Sequence, residues 1–267
     1  MSATMEATLV APDRKMDFRK MARVYYLEAK YAFIRMLRNP AFSIPTLTFP
    51  LFFYLLIGFV FGAFRNRGTG VDVPLYLFCG FATMGAMTPG MFGFGIGLAT
   101  EREQGLFTMK RALPMPPFAS LFGSIVMSML STLAAGIVLA VASAALGILT
   151  APPLKIAAVL AIVAVGALPF GAVGLWIGSW TSGRAAPAVV NIIYILLTYF
   201  SGLFIPLRGS LEYVPLGSPA FYLNQLALAA GGSPHTIVGS VWNHIAILAG
   251  VTIIFLGLAA RRLRRIG

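Results

Sequence analysis

Charged side chains are scarce in this sequence, and acidic ones most of all: Asp and Glu number eight in 267 residues, against 20 Lys and Arg. The eight, Glu6, Asp13, Asp17, Glu28, Asp72, Glu101, Glu103 and Glu212, all fall outside the long apolar runs. A proton- or sodium-coupled carrier keeps an ionisable group at membrane depth in spite of its cost, and these runs hold none. Cysteine is nearly missing too. The single Cys79 excludes an intrachain disulfide and any multi-cysteine metal site, and reads as a packing residue. His235 and His244 have no cysteine or carboxylate at ligand spacing, so no metal is expected.

Two catalytic chemistries are missing as well. The chain has no Gly-Lys dipeptide and therefore no phosphate-cradling loop. The GFGIG run at Gly93–Gly97 lies inside an apolar stretch, where Gly93 and Gly97 read as small residues that let helices approach. No serine or aspartate with a buried basic partner suggests an intramembrane hydrolase. Any uphill work must draw its energy from a partner.

What the chain has in abundance is apolar length. Hydrophobic residues make up 58% and charged residues 10%, and the mean hydropathy is +0.86, too apolar for a soluble fold of this size. A hydrocarbon core roughly 30 Å thick needs about 20 apolar residues to cross. Six such runs are expected, at 42–64, 74–99, 118–149, 156–180, 186–206 and 240–260, and the third is long enough to tilt or to begin on the cytoplasmic surface. Starting from a cytoplasmic N-terminus, the basic residues outside are only Arg65, Arg67, Lys155 and Arg208; all the others fall inside, which predicts both termini in the cytoplasm. The basic charge follows the membrane, so nucleic acid is not expected as a partner.

Residues 1–15 read as a disordered tail. Residues 16–40 have the pattern of an amphipathic helix: Phe18, Met21, Ala22, Tyr25, Ala29, Ala32, Phe33 and Met36 gather on one face, and cations cover the rest. Such a helix lies in the headgroup layer, although a helix packed on a partner needs the same pattern. Asn39-Pro40 ends it. The six-span domain then occupies 41–267, with an apolar outer segment at about 208–235 that Pro215, Gly217 and Pro219 interrupt, suggesting short re-entrant helices.

Between the second and third runs lies a charged island, ATEREQGLFTMKRALPMPP. Thr100 to Glu103 fits a T-x-x-E capping box, which predicts a short cytoplasmic helix at about 100–113. Glu101 and Glu103 suit its N-terminal end, and Lys110 and Arg111 its C-terminal end. An ordinary turn would also carry these residues.

The order of a basic amphipathic helix, six spans, an E-R-E-x-G…R-x-L-P-M island after the second span and F-S-G-L-F-I-P-L at Phe200–Leu207 resembles a type-2 ABC exporter permease. These are the membrane subunits of bacterial ATP-binding-cassette transporters. The resemblance implies an all-α membrane protein with a coupling helix that includes Glu101, Arg102, Glu103, Gln104, Gly105, Lys110 and Arg111. It implies two copies of a separate ATPase that bind ATP and Mg, and a second permease chain, a homodimer being favoured, in the bacterial cytoplasmic membrane. It also implies that the second and fifth spans line the path. Read from the residues, that path holds Thr83, Met87 and Phe94 on one helix and Asn191, Tyr194 and Thr198 on the other. Phe200, Leu203, Phe204 and Ile205 form a candidate outer gate. Uncharged, partly polar lining suits a hydrophobic or amphiphilic cargo, with drug-like efflux favoured. Export of a lipid-linked glycan or polysaccharide is the alternative, as is a non-transporting anchor for a soluble partner.

Overall fold

The computed structural model describes residues 18–60, 72–106, 119–203, 214–232 and 238–266. Among the described residues the chain is helical and contains no strand. Helix α1, Phe18–Leu37, ends just before Asn39-Pro40, as expected. The next helix, α2, spans Pro40–Leu55, and a π-helical turn at Leu56–Val60 continues it. Its proline at the first turn has no N–H to leave unpaired there.

Helix α3, Val73–Thr88, starts where the Asp72 side chain accepts a hydrogen bond from the Leu75 N–H at 3.2 Å. A π-helical turn at Pro89–Gly93 joins it to α4, Phe94–Glu103. Together they form an unbroken apolar helix, Val73–Glu103, with 89% of its most apolar stretch buried. This second span is the hub of the bundle.

The remaining helices are α5, Ala119–Ala145; α6, Pro153–Val165; α7, Ala167–Trp180; α8, Ala186–Tyr199; α9, Pro219–Gly231; and α10, Val241–Ile266. Helices α6 and α7 run on as a single apolar crossing, Pro153–Trp180. Among the described residues, five helices are long and apolar enough to cross a membrane: Phe42–Val60, Val73–Glu103, Leu121–Ala145, Pro153–Trp180 and Val241–Leu263.

The expected span at 186–206 differs. Helix α8 has 14 residues, roughly 21 Å of rise, and ends in a turn at Phe200–Leu203. Two contacts hold that turn inside the bundle. The Tyr76 hydroxyl donates to the Gly202 carbonyl at 2.6 Å, and Gly80 presents bare backbone to the Leu203 carbonyl, where any Cβ would collide. The Ser218 hydroxyl donates to the Leu197 carbonyl at 3.1 Å, so α9 begins beside the last turn of α8. Helix α9 is almost wholly buried among α3, α6 and α10. His244 of α10 is buried beside it, its ring against Phe221 and Tyr222; His235 lies outside the described residues.

Close packing concentrates where α4 meets α7. A Cβ on Gly174 would lie 2.7 Å from the Gly90 carbonyl oxygen, and one on Gly178 would lie 2.5 Å from that of Gly95. Backbones approach here because neither helix has side chains in the way. Sequence reading chose Gly93 and Gly97 for this role, but Gly97 faces open space, and a Cβ on Gly93 would meet only the ends of the Met127 and Phe42 side chains. Most hydroxyls in the spans turn back on their own helices: those of Thr46, Thr132 and Thr252 donate to carbonyls four residues earlier, at 2.7–2.9 Å. Hydrocarbon offers them no better partner.

The apolar stripe of α1 packs on protein. The Tyr25 and Phe122 rings meet edge to face at 5.2 Å, Gly123 touches the backbone at Glu28, and the Ser131 hydroxyl lies 3.1 Å from the Met36 sulfur. The face expected to sink into lipid thus lies along the first turns of α5. Tyr26 and Tyr31 are exposed. The expected tail, residues 1–15, lies outside the described residues.

Candidate functional site

Two regions hold the candidate residues: a charged junction at the end of the second span, and a polar seam between that span and α8.

The junction corrects the expected capping box. Thr100 does not open a new helix; it lies within α4, which continues to Glu103. The Gln104 N–H still donates to the Thr100 carbonyl at 3.0 Å, and Gly105 then takes a left-handed φ of +68° that stops the helix. Glu101 and Glu103 therefore sit at a helix C-terminus. The capping-box spacing was misleading because an apolar helix already in progress supplies its own partners to Thr100. Lys110 and Arg111 lie outside the described residues.

Consecutive residues on a helix point about 100° apart, so Glu101, Arg102 and Glu103 reach three different elements. The Arg102 guanidinium donates to the Ser179 carbonyl and, at 2.8 Å, to the Thr181 carbonyl. These carbonyls close α7, where the last turn lacks helical N–H partners and carries the negative end of the helix dipole. A planar two-pronged cation suits them well.

Glu101 meets Arg35 of α1 at 3.5 Å, with side-chain exposures of 23% and 68%. So exposed a pair is worth about 1 kcal/mol at most, so it orients α1 more than it clamps it. The Glu103 carboxylate lies over Gly183 in the turn before α8: a Cβ on Gly183 would be 2.5 Å from Oε2. Gln104 and Gly105 follow, both exposed. Three charged residues in a row thereby face α1, the end of α7 and the turn before α8. No spacing rule could have announced the targets of Arg102, because both are backbone carbonyls.

In the polar seam, the structure keeps some expected neighbours together and separates others. Thr83 and Met87 are fully buried in α3, and the Thr198 hydroxyl lies 4.0 Å from the Met87 sulfur while donating to its own Tyr194 carbonyl at 2.7 Å. The Thr83 hydroxyl has no hydrogen-bond partner. The Tyr194 hydroxyl is 3.3 Å from that of Thr88, and its ring meets Phe92 edge to face at 5.3 Å.

Phe94 does not join them. It packs with Leu98, Leu175 and Ala259 and faces Gly171 of α7. The π-helical turn explains the change: one extra residue in a turn rotates everything after it by about 100°. Thr88 and Phe92 replace Phe94 as the partners of Tyr194, and sequence reading missed both. Pro89 marked the irregularity without revealing its register.

Asn191 is exposed on α8, on the same side as Ile192, Ile195 and Leu196 and away from the protein core. The gate residues also part company: Phe200 is exposed and Leu203 fully buried against Gly80, while Phe204 and Ile205 lie outside the described residues.

Comparison with known proteins adds two findings. The sequence model of the family described as "ABC-2 type transporter" matches residues 24–230. A Bacillus subtilis (strain 168) protein named "Putative transport permease YvfS" is 25% identical to this chain over 246 residues, covering 86% of this chain and 93% of that protein.

Proposed function

This chain belongs to the ABC-2 type transporter family, the membrane subunits of ATP-binding-cassette transporters, and we propose that it exports hydrophobic or amphiphilic compounds from the cytoplasm. Such a subunit is not itself the catalyst; the family implies an ATPase partner. In this reading two copies of that partner bind ATP and Mg, two copies of this chain pair in a bacterial cytoplasmic membrane, and both termini are cytoplasmic.

The observation that carries the reading is the divergence of Glu101, Arg102 and Glu103 onto three separate elements. A force applied by the ATPase near Gly105 enters a helix that continues unbroken into the second span. Arg102 passes the same displacement to the end of α7, and Glu103 passes it to the entry of α8. The π-helical turn beside Tyr194, irregular already, takes up the change in tilt. Helices α3 and α8 then part or close around uncharged groups: Thr83, Met87, Thr88, Phe92, Tyr194 and Thr198, with Asn191 facing the second copy.

Amide, hydroxyl, thioether and aromatic groups without a charge suit amphiphiles better than small ions. Reconstitution with the partner ATPase in liposomes tests this. Amphiphilic cargo should stimulate ATP hydrolysis and leave the compartment where ATP is supplied. A chain that only anchors its partner would show neither.

A further inference from the structure

Tyr76, Gly80, Thr83 and Met87 recur along α3 at spacings of four, three and four, so they share one stripe of that helix. Three of them meet α8 or the turn that closes it. The Tyr76 hydroxyl donates to the Gly202 carbonyl at 2.6 Å, Gly80 lies bare against the Leu203 carbonyl, and the Met87 sulfur is 4.0 Å from the Thr198 hydroxyl. Thr83 lies on the stripe between the second and third of these contacts.

The turn is tightly built. Ser201 and Leu203 are fully buried, the Ser201 hydroxyl donates to the Thr198 carbonyl at 2.7 Å, and Gly202 takes a left-handed φ of +67°. Tyr76 shares an unbroken helix with Arg102, about 39 Å away by helical rise. The turn therefore covers the polar seam at the end remote from the charged junction.

Thr83 breaks a rule that other threonines of the spans keep. The hydroxyls of Thr46, Thr88, Thr132, Thr198 and Thr252 each donate to the carbonyl four residues earlier. That of Thr83 is fully buried and makes no such bond, nor any other among the described residues. A buried donor left unpaired raises the free energy of the state that leaves it so. Against α8, then, α3 carries one contact that favours closure, at Tyr76, and one group that opposes it, at Thr83. Opposed terms of similar size keep two arrangements close in free energy, which a switching element needs.

We propose that Tyr76 and Thr83 are positioning residues of opposite sign for movement of the Phe200–Leu203 turn. Tyr76 latches the turn over the seam. Parting of α3 and α8 frees the Thr83 hydroxyl to bond water in the opened seam, which offsets the loss of the Tyr76 bond. The use of this latch in export rests on the function proposed above, but its opening is observable without any ATPase.

The test uses the full-length protein in nanodiscs, with Cys79→Ala and Ser201→Cys leaving one cysteine, in the turn. Its rate of reaction with a water-soluble maleimide follows the population of the open turn. Tyr76→Phe should raise that rate about five-fold, the effect of one neutral hydrogen bond. Thr83→Val, nearly the same shape without the hydroxyl, should lower it by a similar factor and raise the Tm. Tyr222→Phe removes an equally short bond, to the Leu216 carbonyl at 2.7 Å, and should leave the rate unchanged. A Tyr76→Phe rate no higher than that of Tyr222→Phe overturns the proposal. So, independently, does a Thr83→Val rate at or above that of the parent. Adding ATP and the partner ATPase separates the two readings: rates that answer to Tyr76→Phe and Thr83→Val but not to ATP uphold the latch and count against ATP-driven export.

Discussion

The Arg102 guanidinium, at the end of the second span, caps the carbonyls of Ser179 and Thr181 at the end of the fourth. Two crossings that share the glycine-lined contact at Gly90, Gly95, Gly174 and Gly178 are thus tied at the end where a partner would push.

Replacing Arg102 by Met removes this tie and leaves the last carbonyls of α7 unpaired. Stability should fall by about 2 kcal/mol, the range for hydrogen bonds to a charged group. Transport per ATP hydrolysed should fall further, at least about ten-fold. Arg102→Lys should restore part of both, since an ammonium is a point charge without the planar fork. Thermal unfolding in detergent and coupled transport assays in liposomes measure the two effects.

Reversing Glu101 and Glu103 to Lys should leave insertion intact and uncouple ATP hydrolysis from transport. Arg35→Ala alone should change stability by less than about 1 kcal/mol, because its partner at 3.5 Å competes with solvent. Full transport by the double reversal would remove the junction from the mechanism.

Gly178→Ala and Gly97→Ala should behave oppositely, although the residues are chemically the same. The first puts a methyl 2.5 Å from the Gly95 carbonyl oxygen and should reduce the yield of monodisperse protein sharply; the second meets nothing within 4 Å. Alanine is the better helix former by about 1 kcal/mol, so Gly97→Ala should be neutral or stabilising. Size-exclusion profiles of the two variants decide it.

Tyr194→Phe breaks the contact with Thr88 at 3.3 Å and should cost about 1 kcal/mol or less. It should nonetheless alter which amphiphiles are exported. Asn191→Leu, on an exposed face, should leave thermal stability unchanged and shift the cargo profile as well. Unchanged profiles across several cargos for both variants would reduce the seam to helix packing.

Much of this was legible beforehand, and the misses have definite causes. The break at Asn39-Pro40 and the extent of α1 were readable because periodicity and proline are local properties. The helix of the fifth apolar run ends sooner than expected, at Tyr199. Apolar length from Ala186 onward is sufficient, but whether the chain continues across or turns at Gly202 depends on Tyr76 and Gly80, over a hundred residues earlier. The lining was misjudged at Phe94 because a single extra residue in the π-helical turn moves every later side chain to another face. A lipid tail and the Phe122 ring ask for the same apolar surface, so the α1 stripe by itself does not tell them apart.

By itself, the order of residues determined that the chain is helical and rich in membrane-crossing segments. The sequence also contains no G-x-x-x-x-G-K-[ST] phosphate loop. Those conclusions follow from hydrophobicity, hydrogen-bond satisfaction within each helix, and charge, which act residue by residue. Only the tertiary structure decided that Arg102 ties α4 to α7 and that Thr88 and Phe92 are the partners of Tyr194. Each of these rests on backbone carbonyls or on helix rotation, and neither leaves a mark in the identity of the residues concerned.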